Sequence, residues 1–114
     1  MMNQSVHQQF NDLHQHHKPL VLINVWDPAS AVMVAKMGAR AIATSSASLC
    51  WAMGYSDGNL MPFSELKSMV KRIQAVNTLP LTVDLEGGYS DDPKMVANQV
   101  VQLIDLGVVG INIE

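Results

Sequence analysis

Four short apolar runs in this 114-residue chain, near 20–26, 41–46, 81–86 and 109–114, alternate with segments whose apolar residues recur at helical spacing. Strands separated by helices through short links can lie side by side only as a parallel sheet with right-handed crossovers. The helical segments fall at 4–16, 28–37, 63–76 and 93–106. The first carries Val6, Phe10 and Leu13 on one side, the third Leu66, Met69, Val70 and Ile73, and the last Val96, Val100, Leu103 and Ile104. Asp27-Pro28 and Asp92-Pro93 read as helix starts. An aspartate can accept from the free amides of the first turn, and proline lacks the N–H that would go unsatisfied there. Gly38 and Gly107 mark helix ends, and Gly87-Gly88 a tight turn after the third strand. The run at 20–25 contains one Asn among apolar residues, the pattern of a strand buried on both faces.

Two architectures use this grammar, a doubly wound open sheet and a barrel. The segment after the first strand is Trp26-Asp27-Pro28-Ala29-Ser30, with no glycine-rich phosphate fingerprint, which disfavours the first. A (β/α)8 barrel of about 250 residues would have roughly half its strands here. The expected fold is therefore α/β, a partial TIM (β/α)8 barrel of about the first four βα units with an N-terminal helix, one domain over 1–114. A small doubly wound binding module and a non-catalytic half barrel that self-associates are the alternatives, since open sheet edges invite pairing.

Composition narrows the partners. With 48% hydrophobic residues, 15% charged residues and a net charge of -3, the chain forms a core and offers no basic footprint for nucleic acid. No apolar stretch approaches the roughly 20 residues that a bilayer crossing takes. The single cysteine, Cys50, excludes an internal disulfide, and no charged leader opens the sequence, so a cytoplasmic location is expected. Cys50 lacks a basic neighbour that would activate it and reads as a small packing residue. The histidines His7, His14, His16 and His17 all precede the first strand, which leaves no nucleophile triad. The run from His14 to His17 reads as a solvated helix end or an exposed transition-metal cluster.

In parallel α/β folds chemistry collects at the carboxyl ends of the strands. Asp27, Asp57, Asp84, Glu86 and Glu114 all fall at those ends. Asp84 and Glu86 are two apart, so a strand continuing through both would aim them to one face. Two carboxylates brought together repel unless a cation or several donors compensate, which points to a hard, oxygen-seeking ion such as Mg2+. Ser45, Ser46, Ala47 and Ser48 form an expected loop after the second strand, small enough for amides and hydroxyls to approach an anion. Trp26, Trp51, Tyr55 and Tyr89 could wall such a pocket or pack the core.

Four segments together carry a family likeness: Asn24-Val25-Trp26-Asp27-Pro28-Ala29-Ser30-Ala31, Ala41-Ile42-Ala43-Thr44-Ser45-Ser46, Gly54-Tyr55-Ser56-Asp57-Gly58 and Asp84-Leu85-Glu86-Gly87-Gly88-Tyr89. In this order and spacing they resemble the isocitrate lyase and phosphoenolpyruvate mutase superfamily, in particular its carboxyphosphonoenolpyruvate mutase-like branch, from about Phe10 to the last residue. The resemblance implies a Mg2+ site, with Mn2+ as a substitute. Asp84 would be its principal acid beside Glu86, with Asp57 and Glu114 acting through water as catalytic groups. Glu86 stands where several branches have aspartate. It further implies that Trp26, Asp27, Ser45, Ser46, Ala47 and Tyr89 bind a small 2-oxo or dicarboxylic acid. The reaction implied is enolate stabilisation during carbon–carbon or carbon–phosphorus cleavage, in a homo-oligomer. The later strands, and the loop that carries the catalytic cysteine of lyase members, have no counterpart in these residues, and Cys50 is not that cysteine. An amino-terminal half is the expectation.

Overall fold

Helix starts organise the chain. In the computed structural model, which describes residues 4–15, 17–58 and 60–114, the element order is α1 (Val6–His14), β1 (Ile23–Val25), α2 (Pro28–Lys36), β2 (Ile42–Thr44), α3 (Ser46–Ala52), α4 (Phe63–Gln74), β3 (Leu81–Asp84), α5 (Pro93–Ile104) and β4 (Gly110–Asn112). Asp27 caps α2 in a reciprocal box with Ser30, whose N–H donates to Asp27 Oδ1 at 2.6 Å while its hydroxyl accepts from the Asp27 N–H at 3.1 Å. Asp92 caps α5 through the Lys94 N–H at 3.0 Å, ahead of Pro93. His16, part of the histidine run considered above and the expected last residue of the first helix, lies outside the described residues.

The four strands form one parallel sheet in the order β1-β2-β3-β4. This sequential order is that of successive βα units of a TIM barrel, not one that reverses about the first strand as in a doubly wound sheet. Register aligns Asn24, Ala43, Thr82 and Gly110 in one layer across all four strands. On the opposite parity Val25, Ile42, Leu81 and Val83 are fully buried against the helices. Leu66, Val70 and Ile73 of α4 and Leu103 of α5 meet it there, each side chain contributing about 1.5–3 kcal/mol by burial.

Several elements depart from the sequence reading. The first strand pairs only over Ile23–Val25, and Ile23 and Asn24 are exposed. As an edge strand, β1 has one neighbour and one open face, so burial on both faces does not apply. In α5, Ile104 is 48% exposed and Gln99 takes the inward position with Leu103, because Ile104 lies one residue past the buried stripe. The serine-rich segment expected as a loop is instead α3, capped by the Ser45 hydroxyl at the Ser48 N–H and anchored by buried Leu49 and Cys50. The third strand stops at Asp84, so Glu86 is not on it; Glu86 has φ 51 and Tyr89 φ 60 in the turn that follows.

Two glycines are demanded by contact. A Cβ on Gly110 would meet Thr82 Oγ1 at 2.8 Å and Phe10 Cε1 at 2.9 Å, so its absence lets α1 reach onto the sheet. Gly88 combines φ +86 with a Cβ position 2.7 Å from Val96 Cγ1, where the rim turn closes on α5. Gly88→Ala is expected to cost about 1–3 kcal/mol in urea denaturation, from strain and overpacking together. Adding Val96→Ala should recover the steric share and leave the backbone share.

Candidate active site

Asp84 ends β3 on the same parity as Thr82, facing a concave depression of about 440 Å³. The depression is lined by Asn24, Ala43, Thr44, Ser45, Thr82 and Asn112 among others, with Phe10 and His14 of α1 also on its wall. Each Asp84 carboxylate oxygen accepts a backbone N–H: Oδ2 from Ser46 and Oδ1 from Glu86, both at 3.1 Å. Its own N–H donates to Thr44 Oγ1 at 3.1 Å. The end of β3 is thereby tied to the end of β2 and to the first turn of α3.

Glu86 points elsewhere. Its left-handed backbone turns the side chain off the strand line, and Oε1 accepts the Gly58 N–H at 3.3 Å. Its carbonyl accepts the Glu114 N–H at 2.8 Å, as the Asn112 carbonyl accepts the Leu85 N–H at 2.9 Å, stitching the ends of β3 and β4. Although 8% exposed, Glu86 brings a carboxylate oxygen into a group with Asp57 and the Cys50 sulfur. The three potential ligand atoms lie within 4.8 Å of one another.

The charges converge on two groups. Burial pushes the Cys50 thiol above its ordinary 9.0, and the charges of Glu86, Asp57 and Asp84 raise it further. Burial likewise raises the Tyr89 phenol, with the adjacent Glu86 carboxylate attracting its proton. The Tyr89 hydroxyl is buried and makes no hydrogen bond of ordinary geometry among the described residues. Its ring lies 6.0 Å from that of Phe63.

The remaining expected residues distribute around this centre. Ser45 lines the Asp84 depression, while Ser46 and Ala47 open α3, the Ser46 N–H already serving Asp84. Tyr89 and Glu114 line a second open depression of about 620 Å³, with Met61, Phe63 and Asp91. Asp27 is occupied as the α2 cap, and the adjoining Trp26 is 43% exposed with its N–H on Ser30 Oγ. Three participants escaped the sequence reading: Thr44 as partner of Asp84, the Gly58 amide as partner of Glu86, and Cys50 as neighbour of the acids. Cys50 and Asp57 are seven residues apart, but nothing local announces that Glu86 joins them.

Both raised groups set a pH dependence. The fold keeps protons that the unfolded chain releases from 9.0 at Cys50 and 10.0 at Tyr89, so their contribution is whole below about pH 9 and is lost as pH climbs through the higher folded values. The urea midpoint should therefore fall above pH 9, and Tyr89→Phe and Cys50→Ala should each flatten that decline. A midpoint that changes with pH identically in all three proteins would count against the assignment.

Comparison with known proteins matches this geometry. The sequence pattern of the phosphoenolpyruvate phosphomutase family covers residues 10–114. An uncharacterized protein of Mycobacterium tuberculosis (strain ATCC 25618 / H37Rv) is 35% identical over 105 residues, 92% of this chain and 39% of that protein. A Burkholderia cenocepacia J2315 structure described as a phosphonomutase has a TM-score of 0.87 at 43% identity, over 91% of this chain and 42% of its own. Another from the same organism, described as a lyase/mutase, gives 0.88 at 30% identity, over 94% and 38%. The chain thus spans about two fifths of the length of these relatives. With its four parallel strands in sequential order and its acidic rim, it belongs to the phosphoenolpyruvate phosphomutase family and corresponds to an amino-terminal half.

Proposed function

We propose that this chain carries the metal-binding and acid-binding part of a lyase or phosphonomutase site acting on a small 2-oxo or dicarboxylic acid. The supporting observation is the acidic rim at the carboxyl end of β3, where Asp84 ends the strand with Oδ1 on the Glu86 N–H and a Glu86 carboxylate oxygen lies within 4.8 Å of one from Asp57. Carboxylate oxygens in this number suit a hard divalent cation, Mg2+ or Mn2+. Asp84 and Glu86 would hold it, with Asp57 and Glu114 accepting hydrogen bonds from waters around it. Such an ion, when bound, supplies Lewis-acid stabilisation to an enolate oxygen as a carbon–carbon or carbon–phosphorus bond breaks.

The chain's own groups supply orientation. The Ser45 hydroxyl borders the Asp84 depression, and with Ser46 and Ala47 it would fix the carboxylate of the acid. Trp26 and Asp27 would wall one side, the Asp27 backbone being held rigid by its capping box. Tyr89, its hydroxyl buried beside Glu86, would keep water from the opposite side. No helix among the described residues is long and apolar enough to cross a membrane, and a cytoplasmic location belongs to the same proposal.

Calorimetric titration with Mg2+ or Mn2+ in the presence of oxalate, a planar mimic of a 2-oxo acid enolate, tests the reading. Asp84→Ala should weaken binding by at least the roughly tenfold that loss of even an outer-shell metal partner costs. Equal binding by both proteins would overturn it.

A second reading, the self-associating half barrel, is favoured by one feature. The β1 edge and the residues leading into it expose Val21 at 71%, Leu22 at 37% and Ile23 at 39%. An open apolar edge is a template for another chain. Light scattering should then give a homo-oligomer that Ile23→Lys reduces to monomer, and a monomeric parent chain would dismiss this version.

A further inference from the structure

We propose that Asn112, the last residue of β4, is a substrate-contact residue of this site, its side-chain amide donating to a carboxylate or oxo oxygen of the acid bound against Asp84. The inference rests on the acid site read above and names a residue that holds the acid, not the ion.

Register and parity place it. Asp84 and Asn112 are Cα partners across the parallel pairing of β3 with β4. Neighbouring strands lie about 4.8 Å apart, so two partnered side chains of one parity stand next to each other. Along β4, Gly110 faces the concave side, where a Cβ would meet Thr82 and Phe10, and Ile111 packs against the core on the helix side. Alternation returns Asn112 to the concave side, beside Asp84. Both residues line the depression of about 440 Å³, and Asn112 is exposed there.

The amide is also available. The Asn112 backbone carbonyl accepts the Leu85 N–H at 2.9 Å, whereas its side chain makes no hydrogen bond among the described residues. Asp84, its partner, has both oxygens on backbone amides. One of the two is fixed by the fold and the other is left to meet a ligand.

The chemistry of the ligand calls for a donor at this point. A small 2-oxo or dicarboxylic acid brings oxygens that only accept, and the ionised acids of the rim only accept as well. No lysine or arginine lines the depression. Two neutral donors flank Asp84 there, Ser45 from the β2 side and Asn112 from the β4 side. A cationic side chain beside Asp84 would pair with it and repel a divalent ion. A carboxamide donates without either effect. It also selects among acids, since a site built to hydrogen-bond an oxygen rejects an analogue that lacks it.

Two-step calorimetry separates the acid from the ion. Mn2+ is titrated into the full 114-residue chain, and oxalate then into the Mn2+-saturated protein. Asn112→Ala should leave Mn2+ affinity within about twofold and weaken oxalate binding by about tenfold or more, as loss of a hydrogen bond to a charged group does. Asn112→Asp keeps the shape but replaces the donor with a charged acceptor, and should weaken oxalate further than the alanine does. Unchanged oxalate binding in Asn112→Ala would overturn the contact while leaving the metal site standing, and so would an equal loss of Mn2+ and oxalate affinity. A parent chain that binds no Mn2+ would overturn both. Should the variants not fold, the parent decides: oxalate added to the Mg2+-loaded chain should shift the Asn112 side-chain NH2 resonances in a nitrogen–proton correlation spectrum, and unshifted resonances would overturn the contact.

Discussion

A carboxylate at the end of a central strand must be compensated, and the way Asp84 is compensated sets the geometry around it. Its two oxygens take the amides of Ser46 and Glu86, and its own amide is taken up by Thr44. Those partners come from the first turn of α3, from the rim turn and from the end of β2. Leaving such a part-buried group without donors would cost stability, so the fold gains by bringing amides to it. The result is a strand end that fixes where α3 begins. It also fixes where the chain must leave the sheet.

That departure is sharp. Glu86 and Tyr89 both have positive φ, a conformation costing on the order of 1–2 kcal/mol for a residue with a side chain. Backbone bonds offset the cost: Gly88 N–H to the Leu85 carbonyl at 2.8 Å and Glu114 N–H to the Glu86 carbonyl at 2.8 Å. The strained pair has opposite effects on the two acids of the motif. Asp84 stays on the sheet face, whereas Glu86 swings toward Gly58 and Cys50. Strain sustained by surrounding structure often accompanies a site, and here it separates side chains that simple alternation would have stacked.

This is also where the sequence stops being legible. Period-3.6 patterns and Asp-Pro pairs identify α2, α4 and α5 because local amides and local burial decide those elements. The strand order does not follow from connectivity alone, since the same alternation also fits a doubly wound sheet; the sequential order of the strands is that of the barrel. The end of β3 is not legible either, since alternation runs on through Leu85 and Glu86 and only the amide pairing at Asp84 shows that the ladder has finished. Likewise α3 hides in a serine-rich run whose composition suggests a turn. Its helical character depends on the Ser45 cap and on Leu49 and Cys50 finding a core built from residues far along the chain. Gln99, buried at 6%, is invisible to any hydrophobic pattern for the same reason.

Two kinds of acid therefore share one rim. Asp84 is bound into the architecture from three sides, by the amides of Ser46 and Glu86 and by the Thr44 hydroxyl. Asp57 sits on an exposed loop, whereas Glu86, on a strained turn, is buried and accepts the Gly58 N–H. The layer beneath, where Gly110 lets Phe10 approach Thr82, brings α1 against the sheet below that rim. Small side chains at Ala43 and Gly110, in the same layer, leave open the depression that Asp84 faces, so the space for a ligand is a consequence of how closely α1 can pack.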